Sequence, residues 1–161
     1  MTLEEEVVSL LNQNGLTLTA AESCTGGLIA KRLTDVSGAS AVFYGSLVTY
    51  SNRLKEKWLG VQAETLQTYG AVSAQTAREM ALGARKATDA DLAVAVTGIA
   101  GPNSDDTNKP VGLVFIALAD KDSVTVEKYE NHFTDNVREQ NRTTSAQRAL
   151  EAVRRYLFNG Q

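Results

Sequence analysis

Ala21-Glu22-Ser23-Cys24-Thr25-Gly26-Gly27 joins two unlike stretches of the chain. Before it, Leu16 to Ala20 alternates apolar residues with Thr17 and Thr19, which predicts a strand. After it, Leu28 to Val36 reads as a helix. A strand that runs directly into a helix is the building unit of α/β sheets. The first N–H groups of such a helix lack intrahelical partners and carry the positive end of its dipole, so they can hold an anion or a developing oxyanion. Glycines there allow close approach to the backbone. The same residues also suit a plain capping turn, since Ser and Thr are common N-caps and Gly-Gly is common in turns.

Working outward, Thr2-Leu3-Glu4-Glu5 forms a capping box for a first helix striped by Leu3, Val7, Leu10 and Leu11, with Gly15 as its stop. A strand over about 16–21 and a helix over about 26–36 flank the quoted turn. Ala41 to Tyr50 predicts a strand rich in Val, Phe and Tyr. Ser51 or Asn52 caps a short helix bearing Lys55, Trp58 and Leu59, and another short helix covers about 63–69. Ser73 caps a longer one to about Ala87, burying Ala77, Met80, Ala81 and Ala84. Asp91 to Val96 is nearly all apolar, the pattern of a central strand. Val111 to Ala119 and Val124 to Phe133 predict an antiparallel hairpin, and a last helix runs from about Asn136 to Leu157. The whole chain, 1–161, thus reads as one three-layer α/β/α domain whose mixed sheet has a parallel core and a late antiparallel hairpin.

Composition narrows the function. The chain has 161 residues, 43% hydrophobic and 22% charged, as in ordinary globular proteins. A net charge of −3 without a basic stripe argues against nucleic acid as a partner. The acidic start, Met1-Thr2-Leu3-Glu4-Glu5-Glu6, is unlike a secretory signal, and no apolar run approaches the roughly 20 residues of a membrane span. One cysteine, Cys24, and one histidine, His132, argue against a disulfide and a metal site. The expectation is a cytoplasmic, metal-free and cofactor-free protein away from membranes; a homo-oligomer is left open.

Ligands of open α/β sheets bind beyond the carboxyl ends of strands. Three polar clusters fall there: Glu22 to Gly27, Thr49-Tyr50-Ser51-Asn52 with Lys55, and Thr97-Gly98-Ile99-Ala100-Gly101-Pro102. A serine hydroxyl needs a base. His132 falls within the second hairpin strand and reads as a half-exposed strand residue. Lysine is then the plausible base, because burial lowers its pKa. Lys55 lies five residues beyond Tyr50 and can share its cleft, or it is an ordinary exposed lysine. Cys24 competes as a nucleophile, with a pKa lowered by the helix N-terminus, or is a small core residue. Glu22 either orients Lys55 or a substrate amide, or interacts with the helix dipole. Arg138 and Arg142, four apart, either bind a phosphate or carboxylate together or form a solvated face.

These clusters, with Leu59-Gly60-Val61, Gly70-Ala71-Val72-Ser73 and Lys109-Pro110-Val111-Gly112, closely resemble the C-terminal domain of the competence/damage-inducible protein CinA, including its stand-alone form, nicotinamide-nucleotide amidase. The resemblance covers nearly the whole chain. It implies hydrolysis of the amide of nicotinamide mononucleotide to nicotinate mononucleotide and ammonia. The family's serine, tyrosine, lysine and threonine fall on Ser23, Tyr50, Lys55 and Thr97. The expected mechanism has Ser23 attack the carboxamide, Lys55 take its proton, Tyr50 hold or relay it, and N–H groups near Thr25 and Gly26 stabilise the oxyanion. Expected substrate-binding residues are Glu22, Thr25, Gly26, Gly27, Asn52, Thr97, Gly98, Ala100, Gly101, Arg138 and Arg142, with a phosphorylated nucleotide as the small-molecule partner.

Two departures stand out. Asn103-Ser104-Asp105-Asp106 replaces the family's Gly-Gly after Gly-Pro, and Thr134-Asp135-Asn136-Val137-Arg138 replaces its Gly-Asp-Arg. Asp105 and Asp106 would repel a phosphorylated substrate. They motivate an alternative, a non-catalytic nucleotide-binding module or inactive paralogue. A third reading pairs Cys24 with His132 as a thiol hydrolase.

Overall fold

A computed structural model describes residues 1–159. In chain order the elements are α1 (Leu3–Asn14), β1 (Leu18–Glu22), α2 (Leu28–Thr34), a 3₁₀ turn (Ala39–Ala41), β2 (Phe43–Val48), α3 (Asn52–Leu59), α4 (Ala63–Tyr69), α5 (Ala74–Thr88), β3 (Leu92–Gly98), β4 (Leu113–Ala119), β5 (Val124–Glu130) and α6 (Val137–Asn159). They build one mixed sheet of order β2-β1-β3-β4-β5. β2, β1 and β3 are parallel, and β4 and β5 add antiparallel pairs. The expected α/β/α layering with a parallel core and late hairpin is what forms.

Alternation along the strands sorts side chains by size. Leu18, Val94, Val96, Val114, Ile116 and Leu118 join α1, α2 and α6 in one core. Ala21, Ala93, Ala95, Ala117 and Ala119 face Ala77, Met80, Ala81 and Ala84 of α5 in the other. Alanine against alanine lets α5 lie close on the sheet. On its far side α5 receives α3: a Cβ at Gly83 would overlap the Leu59 carbonyl, so only glycine allows this approach.

Caps fix the helix starts. Thr2 and Glu5 form the reciprocal capping box, Ser51 Oγ accepts from Leu54 N at 3.1 Å, and Ser73 Oγ accepts from Thr76 N at 3.1 Å. α2 starts at Leu28 rather than near 26, because Gly26 and Gly27 take left-handed φ values of 59° and 106°. β1 extends to Glu22, one residue beyond expectation. β5 ends at Glu130, so His132 is not in a strand; it is exposed in the connection to α6. Asn131 turns the chain away there: it is buried, its N–H donates to Gly112 O at 2.9 Å, and its amide donates to Asn141 Oδ1 at 3.2 Å.

β1 pairs with β2 on one side and β3 on the other. The chain therefore reverses direction across the sheet at β1, and a crevice opens at the carboxyl ends. The loops after β1, β2 and β3 all lie at that edge.

Candidate active site

Ser23 follows β1 directly. Its N–H donates to Val96 O at 3.1 Å, and Thr49 N–H donates to Glu22 O at 2.9 Å, so the pairing of three parallel strands continues into the loops and fixes their spacing. Directly before Ser23, the Glu22 side chain is wholly buried. Its carboxylate accepts from Thr25 Oγ1 (2.7 Å), Gly27 N (3.1 Å), Ile29 N (3.0 Å), Ala30 N (3.2 Å) and Ser46 Oγ (2.7 Å). The anion at the N-terminus of α2 is thus the chain's own. Of the two roles open to Glu22, the structure shows the helix-dipole partner, and those N–H groups are already bonded to it.

Across the crevice, α3 carries Lys55, whose side chain is 1% exposed. Its Nζ lies 3.0 Å from Ser23 Oγ, 2.8 Å from Thr49 O and 3.3 Å from Tyr50 O. No carboxylate pairs with it among the described residues. Burial without a counter-charge lowers its pKa from 10.5 to about 8. A neutral amine has two N–H bonds and one lone pair. The two carbonyls can take the hydrogens, which leaves the lone pair to accept the Ser23 hydroxyl proton. This is the geometry of a serine nucleophile and its base.

The remaining residues sort around a cleft of about 390 Å³. Ser23, Cys24 and Tyr50 line it from the loops after β1 and β2, Lys55 from α3, Ala71 and Val72 from the loop before α5, residues 97–105 from the end of β3 and the loop after it, and Arg138 from α6. Thr97, Gly98, Ala100 and Gly101 are therefore cleft residues as expected. Thr97 Oγ1 donates to Ala71 O at 2.8 Å, tying two of these loops together. Arg138 donates through Nη1 to Gly101 O (2.8 Å) and through Nη2 to Tyr50 Oη (3.1 Å), leaving a cation at the cleft wall.

Several expectations need correcting. Thr25, Gly26, Gly27, Asn52, Glu22 and Arg142 do not line the cleft. Thr25 and Gly27 bond to Glu22, Gly26 N–H donates to Ser23 O at 3.1 Å, and Asn52 is exposed on α3. Arg142 reaches beneath the serine turn, donating to Cys24 O at 2.9 Å and Thr25 O at 3.2 Å, so the two arginines do not act as a pair. Tyr50 touches the dyad through its carbonyl; its hydroxyl meets Arg138 and is no relay to Ser23. Cys24 is buried, and desolvation pushes its thiol up to about 12, opposite to the lowering expected at a helix N-terminus. With His132 exposed outside the cleft, no thiol–imidazole pair forms.

Sequence reasoning did not identify Ser46 as a Glu22 partner, Thr49 O as a Lys55 acceptor, or Ala71 and Val72 as cleft residues, whereas Asp105 does line the cleft. The Gly70-Ala71-Val72-Ser73 motif was a usable signal for two of these; backbone acceptors leave no trace in residue type. Thr49 Oγ1 is buried without a hydrogen-bond partner among the described residues. No described helix is long and apolar enough to cross a membrane.

Fold and site together define an α/β protein with a buried serine–lysine pair at the carboxyl edge of a mixed sheet. The description CinA C-terminal domain matches residues 1–157, and the chain belongs to that family. The CinA-like protein of Geobacter sulfurreducens is 52% identical over 157 residues, covering 98% of this chain and 37% of the relative. That of Syntrophomonas wolfei is 50% identical over 159 residues, 99% and 38%. The chain thus spans little more than a third of the length of these curated relatives. Among solved structures, the competence/damage inducible protein CihA from Agrobacterium tumefaciens superposes with a TM-score of 0.88 at 44% identity, covering 94% of this chain and 91% of that one. The competence damage-inducible protein A from Klebsiella pneumoniae does so with 0.94 at 33% identity, covering 99% and 97%.

Proposed function

We propose that the chain is a serine amidohydrolase that deamidates nicotinamide mononucleotide in the cytoplasm. The observation that carries this reading is Lys55 Nζ, buried without a counter-ion 3.0 Å from Ser23 Oγ. Ser23 Oγ attacks the carboxamide carbon while neutral Lys55 takes its proton. The tetrahedral intermediate collapses, the C–N bond breaks, and Lys55 returns the proton to the departing nitrogen as ammonia leaves. Water then adds to the acyl-enzyme as Lys55 accepts its proton; the ester bond breaks, Lys55 returns that proton to Ser23 Oγ, and nicotinate mononucleotide is freed. Arg138 supplies the cation for the phosphate. The choice of this nucleotide rests on the family resemblance.

Ammonia release from nicotinamide mononucleotide by the pure protein, compared with Ser23→Ala, tests this. The expected loss is about 10³-fold or more. Equal release by both proteins overturns the reading.

One observation favours a second reading: Asp105 lines the same cleft. A carboxylate there opposes a phosphate and so weighs against productive binding of the substrate, which motivates a paralogue that keeps the pocket without turnover. Calorimetric binding without turnover supports that alternative, and turnover eliminates it.

A further inference from the structure

Arg142 does not line the cleft where it was expected to bind substrate, yet it makes an unusual set of contacts. It stands on α6 one turn beyond Arg138, outside the cleft. Its Nε donates to Cys24 O and its Nη2 to Thr25 O, and it pairs with no carboxylate among the described residues. A guanidinium fork thus grips two consecutive carbonyls of the turn that carries Ser23.

The remaining groups of that turn show what the grip does. Ser23 O accepts from Gly26 N, and Thr25 O also accepts from Leu28 N at 3.1 Å. All three carbonyls from Ser23 to Thr25 are therefore bonded. Among the described residues, the N–H groups of Cys24 and Thr25 donate to nothing. The one cis peptide among the described residues is Gly101-Pro102, so these units are trans, with N–H directed opposite to C=O. With Cys24 O turned onto Arg142, the Thr25 N–H points away from it. With Ser23 O turned onto Gly26, the Cys24 N–H points the other way. Cys24 lines the cleft next to the nucleophile, so its N–H is the one a substrate oxygen reaches; Thr25, fully buried, adds a second unbonded dipole behind it.

The geometry points to Arg142 as the positioning residue of this turn, holding its carbonyls back so that the Cys24 N–H is presented as the oxyanion donor. The inference rests on Ser23 being an acylating nucleophile. It places the donors one residue earlier than Thr25 and Gly26, because the Gly26 N–H is already bonded.

The test compares Arg142→Met, Arg142→Lys and Gly26→Ala in the full chain with two substrates: nicotinamide mononucleotide, read as ammonia, and p-nitrophenyl acetate, read as a Ser23-dependent nitrophenolate burst that needs no nucleotide recognition. Arg142→Met is expected to lower kcat and burst rate by about 10²-fold, the cost of a lost oxyanion donor. KM stays within about threefold, and the acid limb set by Lys55 does not move. Arg142→Lys, able to reach one carbonyl, falls between. Gly26→Ala falls in the same direction, since its Cβ would stand 2.8 Å from Arg142 Nη2 and displace the fork. If Arg142→Met does not fold, the other two variants carry the test. An unchanged kcat, or a loss confined to KM, overturns the inference. If the wild type releases no ammonia yet shows a Ser23 burst that depends on Arg142, the amidase reading falls and this inference stands. If neither substrate acylates Ser23, both fall.

Discussion

Two buried ionisable groups stand on either side of Ser23, and they are treated in opposite ways. Glu22 is surrounded by five donors, three of them from the start of α2, and every contact holds the fold together. Lys55 is equally buried but meets two carbonyls and one hydroxyl, with no opposing charge. A buried carboxylate whose two oxygens are both saturated by donors is a strut, with no lone pair left for chemistry. A buried amine with two carbonyls and one hydroxyl is desolvated, and its pKa falls toward the range that proton transfer needs. Burial alone therefore does not mark a functional group; what surrounds it does.

Removing the strut should have the largest effect. Glu22→Ala leaves three helix N–H groups and two hydroxyls without an acceptor and opens a void, and should lower unfolding stability by about 4 kcal/mol. Urea denaturation measures this; a loss below about 1 kcal/mol would place Glu22 with ordinary surface carboxylates.

The second break concerns pH. Folded Lys55 titrates near 8 against an ordinary 10.5, so between those values the folded chain holds fewer protons than the unfolded one. Its contribution to stability is least favourable below pH 8 and rises with pH across that window, by up to about 3 kcal/mol at roughly 1.36 kcal/mol per unit. Lys55→Met should lack this rise. Matching slopes for the two proteins from pH 7 to 10.5 would mean that Lys55 is not desolvated.

The smallest change keeps the charge and removes the base. Lys55→Arg stays protonated and should lower kcat by about 10²-fold, close to 2.7 kcal/mol. In the wild type, the acid limb of kcat/KM should fall near pH 8, with activity increasing as Lys55 loses its proton. A near-wild-type kcat in Lys55→Arg would make the lysine a simple electrostatic group.

The fold was legible where residue pattern and backbone state coincide. Ala63–Tyr69 forms a helix over the residues expected, and Asp91 to Val96 announced a central strand that is buried from Leu92 to Thr97. Ser51 and Ser73 cap where hydroxyls precede a helical pattern. The pairing of Ser23 with Lys55 could be anticipated because both follow parallel strands at one edge. The roles of Gly26 and Arg142 could not, and for Glu22 the sequence left two roles open. They depend on which backbone groups the turn has already bonded, and a sequence names donors and acceptors without assigning them to each other. His132 was misplaced for a related reason: Asn131 leaves the sheet to bond Asn141, ten residues away on another element.

The glycine at position 83 has a consequence that reaches across the molecule. It does not line the cleft, and it lies within α5. Yet α3 rests against it through Leu59, and α3 is the helix that brings Lys55 to Ser23. One methyl group added there must move α3 outward, lengthening a contact on which proton transfer depends. The reach of the base is thus set from behind, at a site that screening of the cleft would never visit.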